Sequence, residues 1–159
     1  MLAFQILISK IAGPEIMFIL VTIVATFLYK KNNTRDFYTI LFTSSFAMIT
    51  TYTIKHLLKI PRPDTMLIPE VGYRFPSGHA TMAALVMSLG IYYAHRYVHD
   101  KQLRYFLYIS AVAWYILISY SRIYLHVHFL IDVIAGGIVG VLSTIIVVKI
   151  VRRFYSHKG

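Results

Sequence analysis

Long apolar runs separated by short polar clusters dominate this chain. Five of them read as membrane spans: Pro14 to Tyr29, Phe37 to Leu58, Ala80 to Tyr97, Leu103 to Ser121 and Phe129 to Val151. A hydrocarbon core about 30 Å thick calls for about 20 apolar residues in a helix, and the first run is slightly short of that. The runs are too long and too continuous for barrel strands, and backbone groups in lipid must be satisfied within the segment, so they are predicted to be helices. The second run is studded with hydroxyls, among them Thr39, Thr43, Ser44 and Thr51, which are tolerated when they face neighbouring helices. Ahead of the first run, Leu2 to Ala12 is apolar but interrupted by Gln5, Ser9 and Lys10, and Gly13-Pro14 separates it from the first span. Too short to span, it is predicted to be an interfacial helix. A cleavable signal fits less well, because no positive n-region precedes it and Lys10 sits where such a segment should be apolar. The pattern thus predicts an all-α polytopic membrane bundle, with five transmembrane helices and a short N-terminal interfacial helix, as a single membrane-embedded domain over residues 1–159.

Composition sharpens this. Apolar residues make up 58% of 159 residues and charged residues 14%, against about 25% charged in soluble domains. A soluble fold of this size keeps too much surface exposed to hide so much apolar area, whereas a bilayer can cover it. With no cysteines there is neither a disulfide nor a thiolate metal site, and the redox compartment is unreadable. The net charge of +10 would suit nucleic acid, but the basic residues sit in short clusters between apolar runs, with no basic face or recognition motif. That excludes nucleic acid as the expected partner.

The clusters are unequal. Ten cationic residues fall on one side: Lys30, Lys31 and Arg35, then Arg96, Lys101 and Arg104, then Lys149, Arg152, Arg153 and Lys158. Six fall on the other, with four of the six acids: Lys10, Lys55, Lys59, Arg62, Arg74 and Arg122. The positive-inside bias makes the ten-charge side cytoplasmic and the other side outward.

The unusual polar residues at helix ends all fall on the outward side. Lys55 lies near the end of the second run, and Pro61 disfavours helix at Ile60, so the chain should turn and bring Arg62 back beside Lys55. Pro76-Ser77-Gly78-His79 opens the third run, with Ser77 suited to an N-cap and Gly78 leaving room for an anion at the free N–H groups. Ser121-Arg122 ends the fourth. His128 and Asp132 begin the fifth at helical i, i+4 spacing, on one face. A carboxylate on one ring nitrogen fixes the imidazole tautomer and leaves the other nitrogen free as a nucleophile. Taken singly, these residues have plainer accounts. A His–Asp pair in a membrane helix also serves as a proton relay or a structural polar pair, Lys55 and Arg122 as residues snorkelling to the interface, and Ser77 as a cap alone. His126, two residues from His128, lies on another face and suits packing or an interface role, and Gly136 with Gly140 suits close helix packing.

Together, Lys55-His-Leu-Leu-Lys-Ile-Pro-Arg62-Pro63, Pro76-Ser77-Gly78-His79, and Ser121-Arg122 followed by five residues, His128, three residues and Asp132 resemble a three-part signature. It is that of the type 2 phosphatidic acid phosphatase family, which shares its phosphate site with vanadium haloperoxidases. The resemblance implies a metal-independent hydrolase of lipid phosphates without a cofactor. It implies His128 as the nucleophile that forms a phosphohistidine, Asp132 as its orienting partner, and His79 as general acid and later activator of water. Lys55, Arg62 and Arg122, aided by Ser77 and the amide of Gly78, would hold the phosphoryl oxygens. The six acids are scattered, with no close His/carboxylate cluster to hold a metal. Members usually have six spans, where this chain offers five and a short apolar start.

The partner so implied is a membrane lipid phosphate; no obligate protein partner is inferred. Small bacterial members act on the 1-phosphate of lipid A, undecaprenyl pyrophosphate or phosphatidylglycerol phosphate. The short outward loops favour lipid A first, which would place the chain in a bacterial inner membrane with its site on the outer, periplasmic face and its C-terminus in the cytoplasm. The loop from Asp64 to Phe75, with Glu70 and Arg74, is the natural element to shape headgroup choice. A lipid-to-lipid phosphotransferase and a non-catalytic lipid-binding protein remain as alternatives.

Overall fold

The computed structural model describes residues 1–156; Lys158 of the cationic count and His157 lie outside the described residues. Six helices succeed one another: α1 Leu2–Ile11, α2 Pro14–Lys30, α3 Thr34–Leu58, α4 Gly78–Tyr97, α5 Lys101–Tyr124 and α6 Leu130–Ser156. No strand occurs among the described residues. Local chemistry sets the bounds. Pro14 occupies the first position of α2, where its missing N–H costs nothing. Asn33 caps α3 by accepting from the Asp36 N–H at 3.2 Å, and Asp100 caps α5 by accepting from Leu103 at 2.7 Å. Lys59, in the left-handed region with φ 49°, ends α3 just ahead of Pro61.

α4 lies at the centre and packs on α6, α5 and α3, while α1 leans on α5. Its inner face is made small by Ala80, Ala83 and Ala84, all buried. α6 meets it with glycines. A Cβ on Gly136 would sit 2.5 Å from the Ser77 carbonyl and 3.1 Å from the Ala80 Cβ, and one on Gly140 would run into the backbone of Thr81. These two positions allow the close approach of α4 and α6. Met17, Ile40, Ala47, Met82 and Leu85 fill the seam between α2, α3 and α4, and Ala12, Ala83 and Ile118 close a second, smaller cluster.

Outside this core the chain turns large apolar side chains outward, such as Ile49, Phe106, Ile109 and Ile138, as a lipid-facing surface requires. α3, α5 and α6 are each long and apolar enough to cross a membrane, and α1 with α2 make a further broken span or re-entrant pair, bent by 45°. The two ends of the bundle differ sharply. At one, Tyr97 donates to Asp36, and Tyr155 donates to Thr34 at 3.1 Å, so the clusters around Arg35, Arg96 and Arg152 gather there. At the other, the end of α3, the start of α4, the end of α5 and the start of α6 converge.

Candidate active site

That second end holds a cavity of about 680 Å³. Among its lining residues are Lys55 from α3, Arg62 and Glu70 from the long loop, Gly78 and His79 from the start of α4, and His128 before α6. Segments far apart in sequence are tied together directly. The Ser77 N–H donates to the Asp132 carbonyl at 3.0 Å, joining α4 to α6, and the Arg74 N–H donates to the Ile60 carbonyl at 3.0 Å, folding the loop back on itself.

His128 is 3% exposed, in the turn that precedes α6. Its Nε2 lies 3.4 Å from Arg62 Nη1. A guanidinium only donates, so Nε2 is the acceptor there and the proton of the neutral ring sits on Nδ1. Nδ1 in turn faces Asp132 Oδ2 at 3.5 Å and has no hydrogen-bond partner among the described residues. Hydrogen bonds of this kind tighten in substrate complexes. Burial pushes the His128 imidazole down to about 4; Asp132 pulls it up, and Arg62, Arg122 and Lys55 push it further down. The ring is therefore neutral at pH 7, with an unprotonated nitrogen turned into the cavity.

Asp132 is fully buried. Arg74 donates to its Oδ1, and the Phe129 N–H donates to its Oδ2 at 2.8 Å, which caps the start of α6. Arg74 also lies over the Phe129 ring at 4.7 Å.

Lys55, Arg62 and Arg122 are each engaged. Lys55 Nζ donates to the Tyr73 carbonyl at 2.6 Å. Arg62 donates to the carbonyls of Gly72 and Val127, each at 3.2 Å, and pairs with Glu70 at 3.5 Å. Arg122, fully buried, donates to Glu70 from Nη2 and to Ser9 Oγ from Nη1, and its Nε has no partner among the described residues. Glu70 thus bridges two arginines. His79 Nε2 lies 3.2 Å from the Ser9 carbonyl, which can only accept, so this nitrogen carries its proton.

Of the eight site residues expected from sequence, Lys55, Arg62, Gly78, His79 and His128 line the cavity itself. Arg122 and Asp132 stand behind its wall, each in contact with a lining residue. Ser77 Oγ, fully buried, serves as the α4 cap, 3.5 Å from the Ala80 N–H. Three neighbours lie outside that set. Sequence position points Glu70 and Arg74 toward headgroup choice, yet their side chains hold Arg122 and Asp132. Ser9 carries no role in the sequence reading. Its i, i+4 relation to Gln5 in an otherwise apolar stretch is the available signal, since both are buried on the inner face of α1. His126, exposed and in the left-handed region with φ 55°, stays out of the cavity. Among the described residues no three His, Cys, Asp or Glu side chains gather as a metal set.

A helical membrane bundle whose polar end gathers cations, a helix N-terminus and two imidazoles defines a class of membrane protein built to hold an anion at the bilayer boundary. The sequence matches the family model of the PAP2 superfamily over residues 36–156, and the chain belongs to that superfamily, the type 2 phosphatidic acid phosphatase family of membrane lipid phosphatases. It is 28% identical over 141 residues to phosphatidylglycerophosphatase B of Bacillus subtilis (strain 168), covering 85% of this chain and 68% of that one. In fold it resembles the crystal structure of the transmembrane PAP2 type phosphatidylglycerolphosphate phosphatase from Bacillus subtilis. The TM-score there is 0.80 at 24% identity, over 99% of this chain and 77% of that one. It also resembles Aquifex aeolicus LpxE, with a TM-score of 0.69 at 22% identity, over 93% and 85% of the two chains.

Proposed function

We propose that this chain, as a single phosphatase domain, hydrolyses a lipid phosphomonoester or pyrophosphate by double displacement through His128. The observation that carries the reading is the setting of His128: Arg62 faces Nε2 and Asp132 faces Nδ1, so Nε2 holds the in-plane lone pair, which is freed for phosphorus when a substrate oxygen draws the Arg62 N–H to itself. Nε2 attacks the phosphorus, and the bond to the lipid oxygen breaks. His79, doubly protonated once the phosphate dianion lies beside it, keeps its Nε2 proton on the Ser9 carbonyl and gives the proton on Nδ1 to the departing alkoxide, and Asp132 stabilises the charge that the His128 ring acquires. Water, deprotonated by His79, then attacks the phosphohistidine and releases inorganic phosphate. Lys55, Arg62, Arg122 and the free N–H groups at the start of α4 neutralise the equatorial oxygens. Substrate oxygens replace the acceptors these cations now hold, namely Glu70 and the carbonyls of residues 71–73.

The lipid we favour is phosphatidylglycerol phosphate, the substrate class for which the Bacillus subtilis relative is named; this ranks above the lipid A 1-phosphate suggested by the short outward loops. The ten-to-six division of cations supports a site on the outer face of a bacterial inner membrane. Phosphate release by purified protein in detergent, from phosphatidylglycerol phosphate, lipid A and undecaprenyl pyrophosphate, tests both the class and the ranking. Release should persist in EDTA, stop with vanadate and vanish in His128→Ala. An absolute requirement for added Mg²⁺, or an active His128→Ala, would overturn the mechanism. Phosphate moving to an acceptor lipid instead of water would make the chain a phosphotransferase.

A further inference from the structure

α1 falls outside the part of the chain that matches the PAP2 family model, which begins at residue 36. Its placement is nonetheless unlike that of a helix lying passively on a membrane surface. Phe4, Leu7 and Ile11 point outward, each about half exposed, while the two polar residues Gln5 and Ser9 are buried on the opposite face. The apolar side is therefore turned to lipid and the polar stripe to the protein. Burying two polar residues costs stability unless they find partners. Ser9 finds two, and both belong to the site: its Oγ accepts from Arg122 Nη1, and its backbone carbonyl accepts from His79 Nε2 at 3.2 Å. Ile6, Ser9 and Lys10 also form part of the cavity wall.

We infer that α1 is part of the catalytic apparatus, with Ser9 as a positioning residue that fixes Arg122 through its hydroxyl and His79 through its carbonyl. Ser9 touches neither phosphorus nor the leaving group. It holds one nitrogen of the Arg122 guanidinium while Glu70 holds another, so the fork is fixed in orientation before substrate arrives. The carbonyl accepts a hydrogen bond from the Nε2–H of His79, which keeps that nitrogen protonated and aims the ring from the α1 side of the cavity.

The inference rests on the roles proposed for His79 and Arg122, and its test separates the two. Ser9→Ala deletes the hydroxyl and leaves the carbonyl; Ser9→Thr keeps a hydroxyl; Leu7→Ala alters the lipid face of the same helix at a residue outside the cavity. For each, the inhibition constant of orthovanadate and kcat/KM for a short-chain lipid phosphate are measured. The vanadate constant reads only the active fraction, so a purely structural defect that reduces folded protein leaves it unmoved. Ser9→Ala should weaken vanadate and lower kcat/KM by about tenfold each, as loss of a hydrogen bond to a charged group implies. Ser9→Thr should recover most of both, and Leu7→Ala should match the parent. Unchanged constants in Ser9→Ala, while Arg122→Gln and His79→Asn abolish hydrolysis, would overturn the role of α1 alone. Full hydrolysis in Arg122→Gln and His79→Asn would instead overturn the site reading beneath it.

Discussion

Replacing Gly136 by alanine strikes the joint on which the site depends. The added Cβ would lie 2.5 Å from the Ser77 carbonyl, 3.1 Å from the Ala80 Cβ and 3.2 Å from the Thr81 nitrogen. A carbon–oxygen contact relaxes to about 3.3 Å, so the two helices must part locally by about 0.8 Å. Two of these neighbours are backbone atoms of the first turn of α4, which no side-chain rotation can move aside. Asp132 is one turn from Gly136, and its carbonyl accepts from Ser77 at 3.0 Å, so the separation opens the joint between Gly78-His79 and Asp132-His128. Overpacking of this size costs about 1–3 kcal/mol in stability, and a displacement near 1 Å lowers catalysis by about a hundredfold. Gly90→Ala is the matched control, since its Cβ would meet only the Ala111 Cβ, at an ordinary 3.9 Å. Thermal unfolding in detergent and phosphate release would be measured on both variants. Gly136→Ala with parental activity, or Gly90→Ala as damaging as Gly136→Ala, would refute the reasoning.

The pH dependence of kcat/KM should fall on the acid side near pH 4, because the His128 ring titrates at about 4 and must be unprotonated to attack; the neutral form is present above that value and is lost as pH drops through it. An acid limb at the ordinary histidine value near 6.5 would contradict the buried, cation-flanked setting. Arg74→Ala leaves the buried Asp132 carboxylate without its guanidinium and should destabilise the protein by about 3 kcal/mol, discounted for the partly exposed Arg74, with a lower thermal midpoint and reduced kcat/KM. Parental stability would show that the pair holds nothing. His126→Ala, at an exposed residue outside the cavity, should keep both kcat and KM, and a large loss would mean that the site extends further than described.

Much of this is legible in the sequence because the bilayer imposes it. Span-length apolar runs such as Leu103 to Ser121 have one acceptable structure in lipid, and a cap explains one shift in bounds, since with Ser77 as N-cap α4 begins at Gly78, two residues before Ala80. Lys55, Arg62, His79 and His128 are recognisable because each is a charged or titratable residue at the end of an apolar run, where its presence needs a reason. The ion pairs behind them are less so. Nothing in the spacing of Glu70 and Arg122 says that they meet, since 51 residues and a long loop intervene. Arg74 reaches Asp132 through the fold of that same loop. Ser9 is hidden for another reason: in a short helix beside a membrane, one serine reads as part of a polar stripe facing water, whereas here that stripe faces the protein.

The most direct test of the central claim is the stereochemistry of hydrolysis at phosphorus, measured with a lipid phosphate made chiral by oxygen isotopes and sulfur. Passage through His128 requires two in-line displacements and predicts net retention of configuration. Inversion would mean that water attacks the lipid phosphate directly, and the nucleophilic role assigned to His128 would be wrong.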